Sequence, residues 1–181
     1  RDKNLDFIID VYEEVSQKYD DLNLICVGDG PYFEEFSQKV DKFDKIFLTG
    51  RLSRNELPPI YASSDLLLFP STTDTFGMTV LEAQACGTPA LVSNIGGPQE
   101  IVKEGQTGFI LNVESINSWV ETLDKFVPEI IDNSREYQQF RRNCRDIVLN
   151  SYKWRELLQD LVLEEDETKQ EKPELVNAPL G

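Results

Sequence analysis

The sequence predicts an α/β fold: a parallel sheet covered by helices on both faces. Three observations carry that expectation. Apolar runs of four to six residues alternate with segments of helical period along most of the chain. The runs are apolar at consecutive positions, which matches strands buried on both faces. Glycine and proline punctuate the junctions, as at Gly28-Asp29-Gly30-Pro31, Gly50, Pro70, Gly87 with Pro89, and Gly96-Gly97-Pro98.

Each element follows from a local signal. Leu5, Ile8, Ile9, Tyr12 and Val15 recur at helical spacing. Residues 22–27 read as a buried strand that runs into the Gly28–Pro31 turn. Residues 32–40 form a helix with Pro31 at its start. Residues 45–49 are a strand closed by Gly50, and residues 55–61 a short helix entered near Ser53. Residues 65–69 are a strand stopped by Pro70. Residues 78–86 are a helix ended by Gly87, with Pro89 beyond it. A strand over 90–93, a helical turn over 98–103 and a last strand over 108–112 follow. Residues 115–126 and 134–163 read as helices, the second with a break near Asn150. No internal repeat is visible.

At 181 residues the chain is long enough for a sizeable core, and 40% hydrophobic content fits a globular protein. The formal charge is −15, from 33 acidic and 18 basic residues. That balance argues against broad binding to nucleic acid or to an anionic lipid surface. Glu164-Glu165-Asp166-Glu167 opens a polar stretch, so the expected organisation is one domain over 1–163 and an acidic disordered tail over 164–181. Three cysteines, with no Cys-x-x-Cys, do not suggest a disulfide framework or a zinc site, and a cytoplasmic location is expected. No membrane-length apolar run or signal peptide is seen in these residues, so membrane contact is not indicated. With no histidine, this chain by itself cannot supply a Ser-His-Asp triad or a His-metal cluster.

The most informative stretch is residues 70–89. Asp74 precedes a Gly-containing turn, and Glu82 lies on the helix that follows, with seven residues between them. The unpaired N–H groups and positive dipole end of a helix start suit a phosphate. Gly77 admits close backbone approach, so the N–H groups of Met78, Thr79 and Val80 would face an anion. Glu82, about one turn in, can accept hydrogen bonds from a vicinal diol such as ribose. In an open parallel sheet the segments after the strands gather along one edge, which brings Gly28–Gly30, Gly50-Arg51, residues 71–77 and residues 94–97 together. Taken alone, the pattern also fits a solvated helix glutamate and a plain turn.

Residues 74–93, from Asp74-Thr-Phe-Gly-Met-Thr-Val-Leu-Glu82 onward, resemble the signature of retaining GT-B glycosyltransferases of the large "group 1" family: Glu, seven residues, Glu. Further ordered likenesses are Lys3-Asn4-Leu5-Asp6, residues 27–31, residues 47–50, Ser64-Asp65, and Gly96-Gly97 through Phe109. Tyr152-Lys153-Trp154 resembles the family's closing helix. The resemblance implies a Rossmann-like domain that binds a nucleotide diphosphate sugar such as a UDP- or GDP-sugar. It implies that Glu82 holds the ribose hydroxyls and that Asp74 meets the donor sugar, with a reach one methylene shorter than the usual Glu. Phe76, Gly77, Met78 and Thr79 would offer backbone N–H groups to the sugar and distal phosphate. Lys3 would bind the diphosphate, and Arg51 would border the base. No metal or other cofactor is implied, and no Asp-x-Asp occurs here.

Two absences from the family pattern carry a structural expectation. The N-terminal acceptor-binding domain is not represented, and neither is the strand that would precede Lys3. In the 3-2-1-4-5-6 strand order that first strand lies at the centre. Without it, the strands at 22–27 and 65–69 are expected either to close up or to leave their edges poorly paired. This chain alone would then be the donor-binding half of a transferase or a catalytically silent nucleotide-sugar module. A generic α/β interaction domain is the remaining alternative. Trp119 and Trp154 are expected in apolar helix stripes, and Cys26 and Cys86 as small packed hydrophobes.

Overall fold

The computed structural model describes residues 3–152. In chain order the elements are α1 (Leu5–Ser16), β1 (Leu24–Val27), α2 (Phe33–Val40), β2 (Ile46–Gly50), α3 (Leu57–Ser63), β3 (Leu67–Phe69), α4 (Met78–Ala85), β4 (Ala90–Ser93), α5 (Pro98–Ile101), β5 (Gly108–Leu111), α6 (Ile116–Ile131) and α7 (Arg135–Ser151). The strand pairs are all parallel. Helices and parallel strands therefore alternate as expected. The 163/164 domain boundary, Trp154 and the acidic stretch lie outside the described residues.

The strands form two sheets rather than one. β1 pairs with β2, and β3, β4 and β5 form a second sheet in that order. β1 and β3 are not hydrogen-bonded to each other, so of the two expected outcomes it is the open edges that occur. β4, flanked on both sides, is buried at every position. β1 alternates between half-buried and exposed. Leu24, Cys26, Ile46 and Leu48 point toward α1 and α2. The opposite face carries Ile25 and its register partner Phe47, which are 45% and 49% exposed. A parallel sheet normally hides both faces, and here one face of the β1–β2 pair stays open among the described residues.

Helix α1 holds the two sheets together. Its Phe7, Val11 and Val15 pack with Leu91 of β4 and with Trp119, Leu123 and Val127 of α6. Its Ile9 and Tyr12 pack with Phe36, Val40 and Ile46 on the β1–β2 side. Full burial of a side chain of this size contributes about 1.5–3 kcal/mol, so α1 is a principal source of cohesion. Trp119 is fully buried, meets Phe7 edge-on at 5.4 Å and donates its indole N–H to the Asn112 carbonyl at 3.2 Å. It is a core residue.

Two helices depart from the expected bounds. α6 runs on past residue 126 to Ile131, through Pro128. A proline inside a helix deprives the carbonyl four residues earlier of its N–H partner. That carbonyl belongs to Asp124, and the Tyr19 hydroxyl donates to it at 3.2 Å. α3 starts two residues later than expected because Pro58 and Pro59 occupy its first turn, where a missing N–H costs nothing. Among the described residues, no helix is long and apolar enough to cross a membrane.

Candidate functional site at the start of α4

The segment between β3 and α4 is built around one carboxylate. Gly77 has φ +87, a left-handed conformation that turns the chain into α4. Asp74 Oδ1 accepts from the Gly77 N–H at 2.6 Å and from the Phe76 N–H at 3.3 Å. Its Oδ2 accepts from Lys3 Nζ at 2.8 Å. The Lys3 ammonium, and then the amides of Gly77 and Phe76, hold the Asp74 carboxyl below its ordinary range despite partial burial. Lys3 also lies 5.3 Å above the Phe69 ring at the end of β3. A residue 71 positions away in sequence is thereby brought to the turn.

The four amides assigned to a ligand from the sequence divide into two pairs. Those of Phe76 and Gly77 face the Asp74 carboxylate. The Val80 N–H, which the sequence pattern also expected to face an anion, does not: it closes the first turn by bonding, with that of Leu81, to the Gly77 carbonyl. The Met78 and Thr79 amides are the remaining first-turn donors. Met78 is 48% and Phe76 41% exposed, whereas Gly77 between them is buried.

The turn after β4 braces the same loop. The Gly97 N–H donates to the Asp74 carbonyl at 2.9 Å. A Cβ on Gly97 would lie 2.1 Å from the Thr75 carbonyl oxygen, and one on Gly96 would lie 2.6 Å from that of Asp74. Gly97 itself has φ −71 and ψ −30, which any residue adopts. Close backbone approach, rather than an unusual dihedral, is what demands glycine there. Pro98 packs against Gly77 on the same contact.

Glu82 lies on α4 one turn beyond Met78 and Thr79 and is half-buried. The Tyr61 hydroxyl, from α3, donates to its Oε2 at 3.4 Å. Arg51 is exposed and directly follows β2. Its neighbour Gly50 accepts from the Gly28 N–H at 2.8 Å, so the two turns at that end of the β1–β2 sheet touch. The Gly28–Pro31 turn is tied to α1 by Asp6, whose carboxylate accepts from Tyr32 at 2.6 Å and Lys39 at 2.8 Å. Lys3, Asp74, Phe76, Gly77, Met78, Thr79 and Glu82 thus cluster about one helix start, while no recorded contact joins Arg51 to them. Sequence reasoning did not single out Tyr61. Its one available signal is its place four residues after Leu57, on one side of a short helix. Burial raises the Cys26 thiol to about 11 and the Cys144 thiol to about 12, as suits packed, unreactive sulfur.

An α/β chain with a lysine, a carboxylate and a helix start gathered at the strand ends offers a site for an anionic ligand. Residues 1–146 match the family "Glycosyl transferases group 1", and the chain belongs to that family. It is 29% identical over 150 residues to the sulfoquinovosyl transferase SQD2 of Arabidopsis thaliana, covering 81% of this chain and 28% of that protein. It is 38% identical over 115 residues to a GDP-mannose-dependent alpha-mannosyltransferase of Corynebacterium glutamicum, covering 64% of this chain and 26% of that one. In fold it is similar to the crystal structure of Anabaena Alr3699/HepE in complex with UDP, with TM-score 0.77, 20% identity, and coverage of 92% of this chain and 46% of that one. The chain therefore spans about a quarter of these curated relatives and under half of that structure.

Proposed function

We propose that this chain is the donor-binding part of a retaining glycosyltransferase that moves a sugar from a nucleotide diphosphate sugar to a hydroxyl acceptor. The observation that carries the reading is the helix start of α4, where the Met78 and Thr79 amides, Lys3, Asp74 and Glu82 gather in one place. The family's sulfoquinovosyl and GDP-mannose-dependent members, and a fold neighbour holding UDP, support a nucleotide-sugar donor. In this reading the diphosphate lies on the Met78 and Thr79 amides and draws Lys3 from Asp74. Glu82 accepts from the ribose hydroxyls, and Asp74 meets the sugar. Arg51 borders the base.

The chemistry is charge stabilisation. The acceptor oxygen attacks the anomeric carbon on the face from which the diphosphate leaves. The carbon–phosphate-oxygen bond breaks, the glycosidic bond forms, and a phosphate oxygen takes the acceptor proton. Lys3 and the α4 dipole stabilise the growing negative charge on the leaving group. The cation is supplied by the protein, so the transfer is proposed to need no metal, and EDTA should leave it unchanged. The acceptor would be bound by an N-terminal domain, with the enzyme in the cytoplasm.

One observation favours a silent state for this chain by itself: Asp74 already satisfies two of the four amides and neutralises Lys3. Titration calorimetry with UDP, GDP and their sugars tests the binding claim. Glu82→Ala should weaken nucleoside diphosphate binding about tenfold or more, because hydrogen bonds to a charged group contribute about 1.5–3 kcal/mol. Absence of nucleotide binding by a protein that includes the acceptor domain would leave only a generic interaction domain. Transfer by that longer protein, with none by this chain, would establish the division of labour.

A further inference from the structure

The Glu82 carboxylate is not left to find its own orientation. Tyr61 reaches it from α3, and the two helices pack together. The Thr79 side chain also acts on this phenol, lowering it against the larger effect of burial. Thr79 and Glu82 are three apart on α4 and so share a face. The phenol therefore lies against the face of α4 that carries the candidate ribose ligand. Tyr61 is itself anchored. Its carbonyl accepts from the hydroxyl of fully buried Thr88 at 2.5 Å and from the Ser64 N–H at 3.1 Å. Burial, and then the Glu82 charge, pushes the phenol up to about 12, so near neutral pH it keeps its proton.

We propose that Tyr61 is a positioning residue for sugar-hydroxyl recognition: it ties up Oε2 of Glu82 so that Oε1 is presented to the vicinal diol of the nucleotide's ribose. The proposal rests on the reading of Glu82 as the ribose ligand. A glutamate has three rotatable bonds and loses much rotamer freedom when it is fixed. A tether made before the ligand arrives removes part of that loss from the binding step. The 3.4 Å separation is long for a hydroxyl–carboxylate bond. Such bonds in unliganded sites commonly shorten when the ligand is in place.

The test compares UDP with 2′,3′-dideoxy-UDP, which lacks the diol, by calorimetry on the full chain and its Tyr61→Phe variant. Inorganic pyrophosphate, which reads the helix-start amides alone, is the control ligand. Wild type should prefer UDP. Tyr61→Phe should weaken UDP about five- to tenfold and leave dideoxy-UDP and pyrophosphate unchanged, so that the preference shrinks. An unchanged preference in Tyr61→Phe overturns the assignment. So does equal weakening of all three ligands, which would show that the tyrosine only supports the helix. If wild type binds pyrophosphate and UDP but shows no preference for the diol, it is the ribose reading of Glu82 that fails, and this proposal with it. Wild type that binds none of the three overturns the proposal for this chain by itself.

Discussion

Replacing Gly97 by alanine tests whether the turn after β4 sets the shape of the candidate site. The new Cβ would lie 2.1 Å from the Thr75 carbonyl oxygen, 2.5 Å from its carbon and 2.8 Å from the Phe76 Cα. All three are backbone atoms, so no side chain can swing aside. The gap to the oxygen must open by about 0.9 Å to reach 3.0 Å, a distance below which real Cβ atoms essentially never approach. The backbone dihedrals of Gly97 suit alanine, so the collision is the whole effect. The 74–76 segment has to move, and with it the Gly97–Asp74 bond and the Asp74 bonds to Phe76 and Gly77. Overpacking of this kind costs about 1–3 kcal/mol, against a typical total stability of about 5–15 kcal/mol. The fold should survive with a lowered melting temperature. A displacement near 1 Å at a positioning loop costs up to about 10²-fold in function. Calorimetry with UDP and thermal melting, run side by side, read both effects. Wild-type melting together with wild-type affinity in Gly97→Ala would refute the reasoning.

Two further expectations concern other bonds. The Asp74 carboxyl is held below its ordinary value of 3.8, chiefly through Lys3. Its bonds therefore contribute fully above that value and are lost as pH falls through the lower folded-state value. Lys3→Met should cost about 0.2–1 kcal/mol at neutral pH, as for an exposed pair, and nothing once Asp74 is protonated. Urea unfolding at neutral pH and at about pH 2 checks this, and a pH-independent difference would contradict it. Tyr19→Phe should cost about 1 kcal/mol by leaving the Asp124 carbonyl without its donor. In a Pro128→Ala background the helix supplies its own N–H, so that cost should vanish in a double-mutant cycle. Additive effects would show that the tyrosine does something else.

Much of the fold was legible because its signals are local. The helix stop at Gly87 and the strand over 90–93 fall where punctuation and apolar runs place them. What was hidden depends on distant partners. α6 passes through Pro128 only because a hydroxyl from residue 19 replaces the lost amide. Gln84 looks like an ordinary polar helix residue, yet it is fully buried and donates to the Thr107 carbonyl and hydroxyl. At the candidate site, spacing pointed to Asp74, Glu82 and the glycine between them, and the family likeness to Lys3. It could not show that Asp74 bonds to the amides beside it, because that choice depends on side-chain rotamer and on Lys3. Nor could it show Tyr61 meeting Glu82 across 21 residues.

The break between β1 and β3 has a practical consequence for anyone handling this polypeptide. Among the described residues neither β1 nor β3 has a strand partner on the edge at the break, and on a face of β1–β2 lies the bare Ile25–Phe47 strip. Unguarded margins of this sort recruit strands from other molecules. Concentrated solutions of the chain should scatter light and self-associate, and a lysine in place of Ile25 is the simplest deterrent.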